Sequence, residues 1–430
     1  MSPATDLPER TRQRINRRLL PFLFLLYIVA FLDRINVGFA GLDMTRELGF
    51  SNEVFGFGSG IFFVGYVLLE IPGTLLVELW SARKWIARIM ITWGLVAALT
   101  GLVHTAGQFY WARFLLGVAE AGFFPGVIVY LTHWYRDRDR ARAIGIFMSA
   151  IPLSQVLGAP ISGLLMKIHW LGYSGWRWLL ILEGAPAIIL GVVTLFYLTD
   201  RPRDARWLRE DERNWIMSEL EHEKLAKQRG PKISVWRAFA NPAVLVLTFI
   251  YFLGATAQYG FGLWLPKIIQ KLSGFSTFQV SMIAAVPYIA AWPAMLLVGW
   301  SSDRTGERRA HTAACYIACG LGLLGTIWAG GNIAAAIAMF SLAAMGINGR
   351  LPPFWPMPSQ LLGGTAAAAC IGAINCMGNL GGFVGPYVLG FLSSHSRGDS
   401  YTSGVLFLSG ASFLGALLVL LIRPPHSSNS

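Results

Sequence analysis

Two pairs of charged residues stand inside sequence that is otherwise apolar. Asp33 and Arg34 fall within "AFLDRINVGFAG" at residues 30–41, and Arg113 and Glu120 within "FYWARFLLGVAEAGFFPGVIVYL". A charge placed alone at the centre of a bilayer costs at least about 2.5–3.5 kcal/mol on insertion scales, so such residues are expected to face a watery cavity or a partner. A guanidinium is a planar fork of donors that stays protonated when partly desolvated, which suits it to hold a carboxylate. For a carboxyl group in the same place, desolvation favours the protonated form and a neighbouring arginine the ionised one, so Asp33 and Glu120 can exchange a proton as the site changes. Seven residues on a helix lie about 20° apart around it and about 10.5 Å apart along it, so Arg113 and Glu120 share a face at two depths. Arg34 is expected at a depth like that of Arg113, with the two guanidiniums flanking one cavity. The other arrangement, in which Asp33 neutralises Arg34 and Glu120 neutralises Arg113, is disfavoured because adjacent helical residues point about 100° apart and seven-residue neighbours are too distant for direct contact.

The elements that must position these residues are membrane spans. The chain has 430 residues, 54% of them hydrophobic and 13% charged, outside the range of soluble globular domains. Apolar runs of about 20 residues, enough to cross a bilayer, fall at 19–41, 54–77, 85–104, 109–132, 142–166 and 178–199, and again at 242–266, 278–300, 310–330, 333–358, 366–392 and 403–422. The first run follows Arg10, Arg12, Arg14, Arg17 and Arg18, but it is longer than a signal-peptide core and lacks a small-residue cleavage site, so it is expected to stay as a span with the amino terminus in the cytoplasm. The net charge of +12 then finds its reason in topology rather than in nucleic acid. On the side away from the termini only Arg46, Lys167, Arg177, Lys267, Lys271 and Arg397 are basic, as the positive-inside rule requires. Cys315, Cys319, Cys370 and Cys376 all lie in apolar runs and are expected to pack as small apolar residues rather than as disulfides or metal ligands.

The boundaries that follow are a tail at 1–18, six spans at 19–199, a polar linker at 200–241, six spans at 242–422 and a tail at 423–430. Trp207, Leu208, Trp215, Ile216 and Leu220 give the linker an apolar stripe at helical spacing, expected on the cytoplasmic surface as a bridge between halves or as a solvated connection. Glycine runs at 158–163 and 378–390 allow close helix approach.

The halves repeat. "GWSSDRTGERR" at 299–309 has a degraded counterpart in "TLLVELWSARK" at 74–84, with Asp303 and Arg308 on Glu78 and Arg83 at an offset of 225, and Pro160 and Pro386 differ by 226. The pattern G-x-x-x-D-R-x-G-x-R-R resembles the loop signature of the major facilitator superfamily. The resemblance implies a conformational latch formed by Asp303, Arg304 and Arg308 with Glu78 and Arg83, although Leu79 stands where that signature has arginine; the bland reading is topological charge on a loop. At the offset of 226, Asp33 and Arg34 fall on Tyr259 and Gly260, and Arg113 and Glu120 on Met339 and Gly346, so the buried charges belong to the amino-terminal half alone. "LDRINVGFA", "RFLLGVAEAGFFPGV", "WRWLLILEGAPA", "LPPFWPMPSQLLGGTAAAA" and "INCMGNLGGFVGPYVLG" narrow the likeness. Together they resemble the anion:cation symporter branch of that superfamily, which includes bacterial tartrate, aldonate, phthalate and hydroxyphenylacetate permeases and, more distantly, sialin and the vesicular glutamate transporters. The resemblance implies proton sites at Asp33 and Glu120 and substrate arginines at Arg34 and Arg113. It implies polar contacts at Tyr66, Gln258 and Asn375, each of which would serve equally as an interhelical hydrogen-bond partner. Arg350 departs from the pattern, as a further anion contact or an arginine reaching toward water, and Glu70 and Glu183 suit structural hydrogen bonding.

The expectation is an all-α membrane protein of twelve transmembrane helices in two pseudo-symmetric six-helix bundles. It would be a monomeric, multi-pass carrier of the bacterial inner membrane with both termini cytoplasmic, importing a small organic carboxylate (a sugar acid, a tartrate-like hydroxy acid or an aromatic acid) with protons by alternating access. Exchange or uniport without proton movement is the alternative, and a receptor for an organic anion a further one. No phosphate-binding loop, metal-ligand spacing or nucleophile set is present in the sequence, so no cofactor, metal, nucleic acid or enzymatic activity is expected.

Overall fold

The computed structural model describes residues 3–228, 242–329, 331–358 and 364–422; residues 229–241 of the linker and the tail at 423–430 lie outside the described residues. The first half comprises α1 (Pro3–Glu47), α2 (Asn52–Leu79), α3 (Ala82–Thr100), α4 (Ala106–Glu120), α5 (Phe123–Thr132), α6 (Asp137–Met148), α7 (Ala150–Leu165) and α8 (Gly175–Tyr197). Helix α9 (Glu210–Gln228) follows, and then α10 (Pro242–Ser273), α11 (Thr277–Ala284), α12 (Val286–Thr305), α13 (Arg309–Trp328), α14 (Ile333–Gly349), α15 (Leu351–Phe354), α16 (Gly364–Gly378), α17 (Gly381–Ser394) and α18 (Thr402–Leu421). Ten helical stretches among the described residues are long and apolar enough to cross a membrane. Helix α3 and the α16–α17 pair fill the third and eleventh places of the expected twelve.

Several spans are broken where the sequence demands it. In the fourth, Gly122 adopts φ +83°, a conformation that a side chain resists, and this separates α4 from α5 directly after Glu120. In the tenth, Pro352 and Pro353 have no N–H to return to the carbonyls of Asn348 and Gly349, and α14 gives way to α15 at Arg350. The helix caps keep the repeat offset. Ser51 caps α2 and Ser276 caps α11, a separation of 276 − 51 = 225. Thr105 caps α4 and Asn332 caps α14, a separation of 332 − 105 = 227. Each side-chain oxygen accepts a backbone N–H of the first turn that otherwise has no partner.

Packing repeats as well. In the first half α3 lies on α8, α2 on α4, and α1 on α7 and α8; in the second, α13 lies on α18, α12 on α14, and α10 on α16, α17 and α18. The halves meet through α2 on α17, α7 on α11 and α12, and α1 on α10, so the interface shares the two-fold relation of the bundles. The glycine run of α17 serves two neighbours. A Cβ on Gly385 would lie 2.1 Å from the carbonyl oxygen of Thr256 on α10, and one on Gly382 would lie 2.6 Å from the Phe63 ring on α2.

Residues 3–18 are helical and run on into the first span as one element, α1. Among the described residues the linker helix lies against the first half, with its apolar stripe turned inward. Leu208 and Ile216 are buried, Trp207 stacks on Trp134 at 5.2 Å, and the Arg136 guanidinium sits 4.6 Å from the Trp215 ring. Fully buried Glu212 accepts from Arg10 Nε at 3.0 Å and pairs with Arg14 at 2.9 Å, and Glu219 pairs with Arg136 at 3.0 Å. Arginines that precede the first span and follow the fourth thus fasten α9. All four cysteines are free and buried.

Candidate functional site

A narrow central cavity of about 40 Å³, lined closely by side chains, lies between the halves. Arg34, Tyr66 and Phe124 contribute from the first half, Gln258, Tyr259 and Asn375 from the second.

At the end opposite the termini the halves are sealed. Asn52 donates to Ser393 Oγ at 3.1 Å, the Glu53 N–H donates to Ser394 Oγ at 2.9 Å, and Phe55 meets Trp264 edge to face at 5.2 Å. A Cβ on Gly56 would lie 2.5 Å from the Pro386 carbonyl oxygen, so α2 and α17 touch there through backbone. Toward the termini Asn375 Nδ2 donates to Glu70 Oε1 at 2.5 Å across the halves, and Cys376 Sγ lies 3.8 Å from the Val67 carbonyl.

Arg34 lines the cavity, and its side chain keeps 10% exposure. Nη2 donates to Glu120 Oε1, and Nη1 donates to Tyr259 Oη at 3.3 Å across the interface. The rings of Phe31, Phe62 and Tyr66 lie 4.9, 5.6 and 5.4 Å from its guanidinium carbon, an aromatic cradle that keeps water from the stem of the fork. The break at Ala121 and Gly122 ends α4 at Glu120, which places this carboxylate beside Arg34. The pairing joins the first span to the fourth, so Arg34 reaches the depth of Glu120 rather than that of Arg113 as expected.

Arg113 is placed differently. It is 1% exposed and does not line the cavity, and its guanidinium carbon lies 5.1 Å from the Phe62 ring, which separates it from Arg34. It stands seven residues, about two helical turns, before Glu120 on α4. Asp33 also points away from the cavity. Its Oδ1 accepts from Asn36 Nδ2 at 3.1 Å, its Oδ2 is buried without a hydrogen-bond partner, and Glu183, which accepts from Ser162 at 3.1 Å, is close enough to act on it electrostatically. The approximately 100° between adjacent helical residues therefore sends Arg34 to the cavity and Asp33 into the first bundle.

Of the polar residues that the resemblance named, Tyr66, Gln258 and Asn375 all line the cavity. The Asn375 amide is engaged by Glu70, and its Oδ1 lies 3.4 Å from Tyr251 Oη. Gln258 accepts from Arg350 Nη2 at 2.8 Å. Tyr259 and Asn36 were not foreseen; the only signal for Asn36 is its position three residues after Asp33, and Tyr259 gave none beyond falling on Asp33 in the repeat. The loop charges form a local pair, with Arg308 donating to Ser302 Oγ at 2.9 Å and meeting Asp303 at 2.6 Å, and Arg304 lies 5.4 Å from the Trp300 ring. Arg83 turns to the Leu195 carbonyl at 3.1 Å and to Asp200, which also caps α3 through Ser81. The Glu78 side chain lies outside what is described.

Comparison with known proteins agrees with this architecture. A protein of Agrobacterium vitis named a tartrate transporter is 48% identical over 99% of this chain and 97% of its own. An inner membrane transport protein of Escherichia coli is 38% identical over 98% of this chain and 97% of its own. The solved structure of a bacterial homologue of the human lysosomal transporter Spinster, inward-facing and unoccupied, aligns with a TM-score of 0.70 at 18% identity over 96% of this chain and 95% of that one, a likeness of fold. The profile of the Major Facilitator Superfamily matches residues 23–386 and 274–430, and with two repeated bundles closed around a central cavity, the chain belongs to that superfamily of transport proteins.

Proposed function

We propose that the protein imports a small organic carboxylate together with protons across a bacterial inner membrane, with its termini in the cytoplasm. The observation that carries this reading is Arg34, a guanidinium that lines the cavity and is neutralised there by Glu120 of its own half. A carboxylate entering the cavity competes with Glu120 for the fork. Glu120, released from its counter-charge in a site that excludes water, takes up a proton, and anion and proton then cross as one load. Asp33, Asn36 and Glu183 lie behind this pair inside the first bundle, where Asp33 serves as a second place for a proton. Arg113 holds the field of the first half positive without touching cargo in this closed arrangement. The name borne by the Agrobacterium vitis relative supports an organic acid as the cargo class.

Glu120→Gln is the test. A symporter carrying this change is expected to lose accumulation driven by a pH gradient in proteoliposomes by at least about tenfold while retaining counterflow of labelled solute. Retention of pH-driven accumulation at the parent level would overturn proton coupling at Glu120 and favour exchange.

A further inference from the structure

The carboxyl-terminal half carries a buried guanidinium of its own. Arg350 is 2% exposed and sits at the break between α14 and α15. Its Nη1 is buried without a hydrogen-bond partner, and none of the ion pairs found among the described residues includes it. It is wedged in place, since a Cβ on Gly254 would lie 2.7 Å from its guanidinium carbon and 2.4 Å from Tyr316 Oη. Tyr251 and Tyr316 flank it at 5.8 and 5.6 Å. Like Arg113 it does not itself line the central cavity, but unlike Arg113 it is bonded to a residue that does, Gln258; at the repeat offset of 350 − 124 = 226 it falls on Phe124, another lining residue.

Arg34 and Arg350 are joined to consecutive residues of one helix. Tyr259 accepts from Arg34 and Gln258 accepts from Arg350, and both acceptors line the cavity. One guanidinium thus approaches α10 from each half. Arg34 has Glu120 to balance it; among the described residues Arg350 has only the amide oxygen of Gln258, a neutral acceptor standing where a charged one would bind more strongly.

We propose that Arg350 and Gln258 form a second anion subsite, and that the cargo is a short dicarboxylate that lays one carboxylate on Arg34 and the other on Arg350. This rests on the carrier reading above and narrows it from carboxylates in general to diacids. On binding, Gln258 turns aside and the second carboxylate takes the place of its amide oxygen. A monocarboxylate answers one arginine and leaves the other buried and uncompensated, which disfavours closure of the halves around it. Bridging by a diacid ties the two halves through their own charges, so selectivity and closure have a common origin.

The test compares tartrate with its monoamide, which has nearly the same shape and one charge fewer, as solutes for the full chain in proteoliposomes. The wild type is expected to prefer the diacid at least tenfold in KM. Arg350→Gln is expected to raise the KM for the diacid by about 30-fold or more while changing that for the monoamide less than threefold, which erases the preference. If Arg350→Gln does not yield a monodisperse protein, Gln258→Glu supplies Arg350 with a permanent counter-charge and is expected to erase the preference in the same way. A wild type without preference, or variants that weaken both solutes equally or neither, overturns the subsite. A wild type that accumulates monocarboxylates but no diacid overturns it while leaving the carrier reading intact; failure to accumulate any organic acid is a failure of the carrier reading itself.

Discussion

Replacing Arg34 by glutamine is expected to lower uptake at least about a hundredfold. Glu120 is 1% exposed, and the carboxylate loses its charged partner when the guanidinium is removed. Breaking a buried pair in this way costs about 3–5 kcal/mol, and each 1.4 kcal/mol is a factor of ten. The same change takes away the Tyr259 bond across the interface and the fork offered to the solute. Arg34→Lys keeps a charge within the aromatic cradle but not the planar pair of donors, so its loss is expected to be smaller, about tenfold. Initial rates in proteoliposomes read the transport effect, and thermal melting of the detergent-purified protein reads the folding effect. The double variant Arg34→Gln with Glu120→Gln separates the two. It removes both charges, so the melting temperature is expected to recover while transport does not. Uptake near the parent rate in Arg34→Gln would show that the cavity arginine is not an anion contact.

Gly56→Leu is expected to hold the protein open at the end opposite the termini. The nearest atom to a Cβ at position 56 is the Pro386 carbonyl oxygen at 2.5 Å, with the Gly390 Cα at 3.2 Å. Both are backbone and cannot swing aside as a side chain would. Overpacking of this kind costs about 1–3 kcal/mol where it is accommodated, and the cost falls only on the arrangement in which α2 and α17 touch. It therefore shifts the conformational balance by about five- to 150-fold instead of unfolding a bundle. Transport is expected to fall by about the same factor, at least about fivefold, while equilibrium solute binding changes less than threefold. A cysteine introduced at Ser393, which accepts from Asn52 in the closed arrangement, reports the state. The four native cysteines are buried, so a membrane-impermeant maleimide added from outside should label position 393 readily in the Gly56→Leu background and slowly in its absence. Unchanged labelling together with unchanged transport would show that this contact does not govern closure.

The spans and their repetition were legible because hydrophobic length and cap residues are local properties. Ser51, Thr105, Ser276 and Asn332 start helices for reasons contained within four residues of each. The charged residues of the cavity were legible by their cost in apolar sequence. Their pairing was not. Sequence spacing fixes which face of a helix carries Arg113 and Glu120, but not how α1 is rotated against α4, and that rotation decides that Arg34 rather than Arg113 meets Glu120. A long side chain blurs depth in the same way, since an arginine reaches across more than a helical turn. The linker shows a different limit. Its stripe through Trp207, Leu208 and Ile216 was plain, but a stripe does not name its partner; the buried Glu212, held by Arg10 and Arg14 from about two hundred residues earlier, does.

That clasp bears on how the molecule moves. With α9 held to Arg10, Arg14 and Arg136, the polypeptide through Gln228 travels as ballast of the amino-terminal half. A rigid-body movement of one half against the other would therefore leave the clasp between α9 and the first half intact, and α9 would move with that half as a single body.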